Sequence, residues 1–299
     1  MWLMKKMITK TSGKSTAWQV LSVVRDFAPL ILVYTTFFVF NRESIATLLI
    51  TWWDSHEASQ GLILVPVSLW LTFKQLAARN SSSFQPSWPW VVCFGIASIG
   101  IPLGGFMHIQ VVEFSAIVTA FVTIPLAVYG VERNQLPEPE SFFPAFYGLL
   151  ALPVWDYVNP VFRLASLKAT ELFLQLSPIP NYVEGFRIEL ASGVFVVDAG
   201  CSGLRYMVSA VAIAFLYAFL YLRTRKARFI CVSSLLVLAL IGNWLRIALI
   251  IIIGYLTDMK SPLVNDHATF GWIIFAFLLL VWMVGVNRLE QVSSSARRS

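Results

Sequence analysis

Three side chains with complementary reactivity stand out in this chain: Cys201, Arg246 and His267. A thiol supplies a nucleophile, an imidazole carries a proton near neutral pH, and a guanidinium supplies fixed positive charge with directed donors. Cys201 lies in Ala199-Gly-Cys-Ser-Gly-Leu-Arg-Tyr206, where a polar, strand-like stretch gives way to an apolar run. Arg246 sits inside another apolar run, in Gly-Asn-Trp-Leu-Arg, and His267 closes a short polar loop before a third.

Each residue also has a plainer reading. A free cysteine is most often a small buried hydrophobe, but at the start of a helix the dipole lowers a thiol's pKa and favours the thiolate. From position Cys201 is either such a packing residue or a reactive thiol, and Gly200 and Gly203 would leave room for a substrate backbone. Arg246 is either a cation snorkelling to a membrane interface or a charge facing a polar site. A loop histidine such as His267 is commonly plain surface; beside a thiol it becomes the proton shuttle. Ser202, Gly203 and Asn243 adjoin these residues and are candidate substrate contacts.

The elements that position this trio are membrane-length. The chain is 58% apolar and 13% charged, with several uncharged runs of about 18 residues or more, which excludes a soluble protein and defines a polytopic one. Its net charge of +6 does not point to nucleic acid. The basic residues collect in short segments between apolar runs, as orientation by cytoplasmic loops requires. The three cysteines, Cys93, Cys201 and Cys231, imply no disulfide framework.

Hydropathy predicts an all-α membrane protein of about eight spans: 27–40, 61–73 and somewhat beyond, 90–105, 111–130, 142–155, 201–222, 229–256 and 270–286. The basic start reads as the cytoplasmic flank of an uncleaved first helix, and both termini are expected in the cytoplasm. Residues 80–89 and 131–140 read as loops. After the fifth span, Phe162, Ala165, Ala169, Leu172 and Leu176 recur opposite Arg163, Ser166 and Thr170, predicting an amphipathic helix on the membrane surface. Strands over 186–190 and 194–198, joined through Ala191-Ser-Gly193, predict a β-hairpin that delivers the chain to Cys201. The chain is thus expected to form one membrane domain, with a five-helix half (1–155), an extracytoplasmic helix and hairpin (156–200) and a three-helix catalytic segment (201–287).

Depth unites the trio. Arg246 is 18 residues beyond Arg228, or about 27 Å along a helix, against an apolar core of about 30 Å. It therefore falls near the outer surface, the layer where Cys201 begins one span and His267 precedes another. His56, His108, Cys93 and Cys231 lack such company and read as interface or packing residues. Asp198 and Glu189 with His267 make too thin a ligand set for a metal, and no cofactor is expected.

At these residues the sequence resembles the exosortase/archaeosortase family of multi-span sorting enzymes, whose catalytic Cys, Arg and His come in this order. The matching motifs are Cys201 in Gly-Cys-Ser-Gly-Leu-Arg, Arg246 in Asn-Trp-Leu-Arg and His267 in His-Ala-Thr-Phe-Gly-Trp. The resemblance implies a cysteine protease or transpeptidase at the outer face of the cytoplasmic membrane. Its partners would be exported proteins bearing a Pro-Glu-Pro-like motif, a hydrophobic helix and a basic tail. Cys201 would attack the scissile carbonyl, His267 would protonate the leaving amine, and Arg246 would stabilise the thiolate or the oxyanion. A second nucleophile of unspecified kind would release the acyl-enzyme. One departure is Ala58-Ser-Gln-Gly61, where the family tends to have Tyr-Ser-His-Gly, so that Gln60 replaces a histidine. Two other classes stay open, a transporter or channel using Arg246 as an anion site and a structural membrane subunit that would tolerate substitution of all three residues.

Overall fold

The computed structural model describes residues 16–55, 58–78, 86–129, 142–222 and 224–295. His56, the 131–140 loop and most of the 80–89 linker lie outside them. The chain forms two compact units, Met1–Pro153 and Val154–Ser299.

The first unit contains helices α1 (Thr16–Phe40), α2 (Arg42–Asp54), α3 (Gly61–Ala78), α4 (Trp88–Phe106), α5 (Gln110–Tyr129) and α6 (Phe143–Leu149). α5 is its buried centre, with Ala120 and Ile124 fully enclosed. The Tyr34 hydroxyl donates to Phe121 O across 3.0 Å, and Ser68 Oγ donates to Pro144 O across 2.6 Å. His108 is an exposed turn residue at φ 55°, with no part in a site.

Span by span, the helices partly match the hydropathy. Among the described residues five are long and apolar enough to cross a membrane: Trp88–Phe106, Gln110–Tyr129, Leu204–Tyr221, Arg225–Leu256 and His267–Arg288. Phe27–Phe40 and Gly61–Gln75 are shorter apolar stretches. The predicted fifth span is instead α6, seven residues long and followed by turns. Its Pro144, Ala145, Tyr147 and Gly148 are buried, and broken helices are tolerated at membrane depth where protein encloses them.

The second unit begins with α7 (Asn159–Leu176) and a three-stranded antiparallel sheet, β1 (Asn181–Glu184), β2 (Arg187–Leu190) and β3 (Gly193–Val196), in that order. The sequence reading found β2 and β3 and missed β1. Ile188 pairs with Phe195 in register, and the turn between β2 and β3 spans Ala191 and Ser192. Then come α8 (Leu204–Tyr221), α9 (Arg225–Leu256) and α10 (His267–Ser295). Ala210, Ala214 and Ala218 recur every four residues along α8 and are almost wholly buried in a cluster with Leu235 and Ala239 of α9 and Phe275 of α10. Small residues at such an interface let helices approach closely where lipid supplies no hydrophobic drive. The pairing of α9 with α10 is tied by Trp282 Nε1 donating to Ser234 Oγ at 2.9 Å.

α7 corrects the predicted amphipathic helix in one respect. Its polar residues Asn159, Ser166 and Thr170 are buried, whereas Leu172 and Leu176 are 59% and 80% exposed. Its buried apolar contacts come from Leu167 and Leu174, which pack with Ile188, Leu190, Ile247 and Ile251. The helix therefore buries Asn159, Ser166 and Thr170 beside Leu167 and Leu174, and leaves Leu172 and Leu176 outward.

Candidate active site

The turn that carries Cys201 is held by side chains from two helices. Ala199–Cys201 forms a single 3-10 turn, capped by Asp198, whose Oδ1 accepts the Cys201 N–H at 2.9 Å. The carbonyls of this segment are almost all taken by side-chain donors. From α7, Arg163 Nε donates to Val197 O at 2.6 Å, Asn159 Nδ2 to Ala199 O at 3.4 Å, and Ser166 Oγ to Ser202 O at 3.2 Å. From α9, Arg246 NH1 donates to Gly200 O at 3.4 Å and Asn243 Nδ2 to Cys201 O at 3.0 Å. Residues 159, 163 and 166 lie at helical spacing on one face, so a single side of α7 braces the turn. Gly203 follows with φ +79°, a left-handed conformation that glycine adopts without penalty, and a Cβ there would meet the Asn243 side chain.

Cys201, His267 and Asp198 converge. The Sγ, an imidazole nitrogen and a carboxylate oxygen all lie within 4.8 Å of one another, with the thiol and the imidazole half-buried and Asp198 exposed. Among the described residues they are also the set that most resembles a metal cluster. A tetrahedral zinc would need its ligand atoms drawn to about 3.5 Å apart, and a bound metal would consume the thiol. Glu189, weighed with Asp198 from sequence, is elsewhere: its Oε1 accepts from Arg187 Nε at 2.9 Å.

The thiol differs from the expectation of an activated thiolate. Cys201 lies in the 3-10 turn before α8, which starts at Leu204, and not in the first turn of that helix. Burial pushes the Cys201 thiol up to about 11. The Arg246 charge pulls it down, and the Asp198 carboxylate pushes it up through its charge and side-chain hydrogen bond. Desolvation outweighs the cation here, so Cys201 rests as a neutral thiol that ionises only as a base removes its proton.

Arg246 is 2% exposed and enters none of the ion pairs among the described residues. Nε donates to His267 O at 3.1 Å, NH1 reaches Asn243 Oδ1 at 3.4 Å, and the guanidinium carbon stands 5.8 Å from the centre of the Tyr206 ring. A buried cation without a carboxylate is costly unless dipoles and a nearby developing anion compensate it. Carbonyl and amide oxygens surround it, which ties the Cys201 turn to the start of α10. Gly271 makes this possible, because a Cβ there would strike both Arg246 Nε and the Tyr206 hydroxyl.

Ser202, Gly203 and Asn243, the candidate substrate contacts, are all buried. Ser202 Oγ accepts the Leu204 N–H at 3.3 Å, and Asn243 is spent on Cys201 O, Ser166 Oγ and Arg246. Away from the trio, Cys231 is buried within the α8–α9–α10 cluster and Cys93 is partly buried. Asn159, Arg163 and Ser166 are not legible as site residues from sequence, and Asp198, weighed there only as a weak metal ligand, immediately precedes the Ala-Gly-Cys turn, where an Asx cap is a local signal.

A cavity of about 210 Å³ opens beside Cys201 and His267, walled by β3, by Ile247, Ile250 and Ile251 of α9, and by Met259. The chain is thus a multi-pass helical membrane protein with a cysteine-centred candidate site at an apolar pocket. It belongs to the transmembrane exosortases: the family model described as "Transmembrane exosortase (Exosortase_EpsH)" matches residues 52–284. A search of curated proteins and one of solved structures return no match.

Proposed function

We propose that this chain is a membrane cysteine peptidase or transpeptidase that removes C-terminal sorting signals from exported proteins, with Cys201 as nucleophile and His267 as acid and base. The observation that carries the reading is the approach of the Cys201 thiol and the His267 imidazole to within 4.8 Å at the mouth of an apolar cavity. His267 takes the Cys201 proton as Sγ bonds to the scissile carbonyl carbon. The tetrahedral intermediate then collapses, the C–N bond breaks, and His267 returns the proton to the leaving amine. A second nucleophile, water, an amine or a glycolipid, resolves the thioester.

Arg246 serves this chemistry by holding the two reactive residues in register and by placing positive charge near the nascent thiolate. Asp198 adds what a thiol–imidazole pair needs, a carboxylate close enough to favour imidazolium once the proton has moved.

The active face is the outer side of the cytoplasmic membrane. An odd number of crossings must precede Cys201 for this, and the α6 segment acts as the fifth. Substrates carry the Pro-Glu-Pro-like motif, hydrophobic helix and basic tail associated with the family. The transporter alternative is disfavoured because Arg246 spends its donors on protein oxygens and is only 2% exposed. The deciding experiment is co-expression with a signal-bearing exported protein. Trimming should occur with intact Cys201 and vanish for Cys201→Ala at equal membrane abundance; trimming by the Ala variant would refute the reading.

A further inference from the structure

β3 is an edge strand. Among the described residues it pairs with β2 alone in the order β1-β2-β3, and the register fixes which of its groups are spent. Val197 N donates to Phe186 O at 2.9 Å, so residues 193, 195 and 197 exchange the ladder bonds and the alternate residues do not. The backbone N–H and C=O of Val194 and Val196 therefore point away from β2, and no bond outside the ladder engages them among the described residues. Val194 is 41% and Val196 57% exposed.

This open edge runs into the candidate site. The cavity beside Cys201 and His267 is lined by five consecutive residues, Val194 to Asp198. A cavity on one face of a strand touches every second residue; consecutive contact means that it lies along the edge. Most strand edges in soluble proteins are blunted by charge, proline or a covering element, and this one is blunted by none of these at Val194 or Val196. Met259, at the left-handed φ of 61°, packs its side chain at Gly193 and closes the far end of the slot, leaving the other end at the cysteine.

We propose that the edge of β3 is a docking strand for an extended polypeptide segment, which pairs its backbone with Val194 and Val196 and so lays its reacting carbonyl against Cys201. This rests on reading Cys201 as the nucleophile and adds how the substrate is held. Main-chain pairing gives affinity without reading sequence, while the apolar cavity selects side chains. The occupant is a peptide because only a backbone satisfies alternating donors and acceptors at strand spacing. A lipid chain would fill the cavity and leave both valine amides unpaired.

The test is N-methyl scanning of acetyl-Ala-Val-Ala-Val chloromethyl ketone on the full-length protein in lipid nanodiscs, following the labelling rate of Cys201. Methylation of alternate amides should slow labelling about tenfold, and methylation of the intervening amides should change it less than about twofold. Val196→Pro removes one outward N–H, a substitution that edge strands tolerate, and should flatten this alternation; Val196→Ala should preserve it. Iodoacetamide, which needs no strand, should label all three proteins at rates within about twofold of one another, which reports an intact site. A flat scan on the unmodified protein overturns the docking strand. So does a peptide probe that labels no faster than an N-acyl chloromethyl ketone without amides, which would assign the cavity to lipid. Neither result touches the nucleophile, whose failure appears separately as trimming by Cys201→Ala.

Discussion

Arg246 Nε donates to the backbone oxygen of His267 across 3.1 Å, so the buried cation of one helix holds the first residue of another. Through NH1 the same guanidinium reaches Gly200 O at 3.4 Å, on the residue before the thiol. One side chain thereby sets the spacing between the candidate nucleophile and its base. A lysine keeps the charge but cannot reach two carbonyls in fixed directions. Arg246→Lys should therefore lower processing by about 100- to 1000-fold, chiefly in kcat, while the protein inserts at normal abundance. Near-normal processing by the Lys variant would reduce Arg246 to an interfacial anchor.

The pH dependence of the thiol follows from its burial. With Cys201 pushed up to about 11, the thiolate is roughly 0.1% populated at pH 8, and iodoacetamide labelling should climb steadily through pH 10. The sign is that of a raised acid: burial favours the protonated thiol, so its contribution to stability is complete below the ordinary thiol value and is lost as pH rises through about 11. Asp198→Asn removes a charge that raises the thiol and should move the labelling midpoint down. A labelling plateau below pH 8.5 in the unmodified protein would contradict this and restore a preformed thiolate.

Two glycines report on the packing behind the site. Gly203 has φ +79° with Asn243 at its Cα, and alanine there should cost about 1–3 kcal/mol from backbone strain alone. Gly271→Ala displaces Arg246 and Tyr206 together. Both variants should lose processing and lower the thermal unfolding midpoint; unchanged midpoints would mean that these close approaches do not exist in solution.

Chelation separates the thiol reading from a metal one. Processing should survive EDTA, because a metal held by Asp198, Cys201 and His267 would occupy the thiol that the proposed mechanism needs free. Loss with EDTA and recovery on adding Zn²⁺ would make the trio a metal centre.

The orientation can be read with reporter cysteines at exposed positions in a Cys201→Ala background. Glu184→Cys on β1 should react with a membrane-impermeant maleimide in spheroplasts, and Lys226→Cys at the start of α9 only in inverted vesicles. The opposite pattern would mean that α6 does not complete a crossing.

The parts visible in the sequence were those set by one-dimensional quantities. Run length and charge marked α8, α9 and α10, and helix rise placed Arg246 near the layer of Cys201 and His267. The strands of the hairpin were legible from alternation, but β1, in Asn-Tyr-Val-Glu, has too few apolar residues to show a period. Periodicity gave α7 two faces without saying which is inside. Ser166 and Thr170 look solvent-facing because hydroxyls usually are, yet both are buried: Ser166 donates to a carbonyl of the cysteine turn, and Thr170 donates back to Ser166 O within the helix. Asp198 lies 69 positions from His267, and only the folded chain brings their side chains together. The thiol's resting state depends on desolvation, which the helix-start rule does not carry.

The central claim is that a bond forms between Cys201 and the substrate carbonyl. The direct measurement is acid-quenched mass spectrometry of the purified protein with a signal-bearing substrate. The account predicts a hydroxylamine-sensitive acyl adduct on the peptide carrying Cys201, absent from Cys201→Ala and strongly diminished in His267→Ala. Trimmed product accumulating with no adduct at Cys201 in the unmodified protein, and persisting in Cys201→Ala, would contradict it.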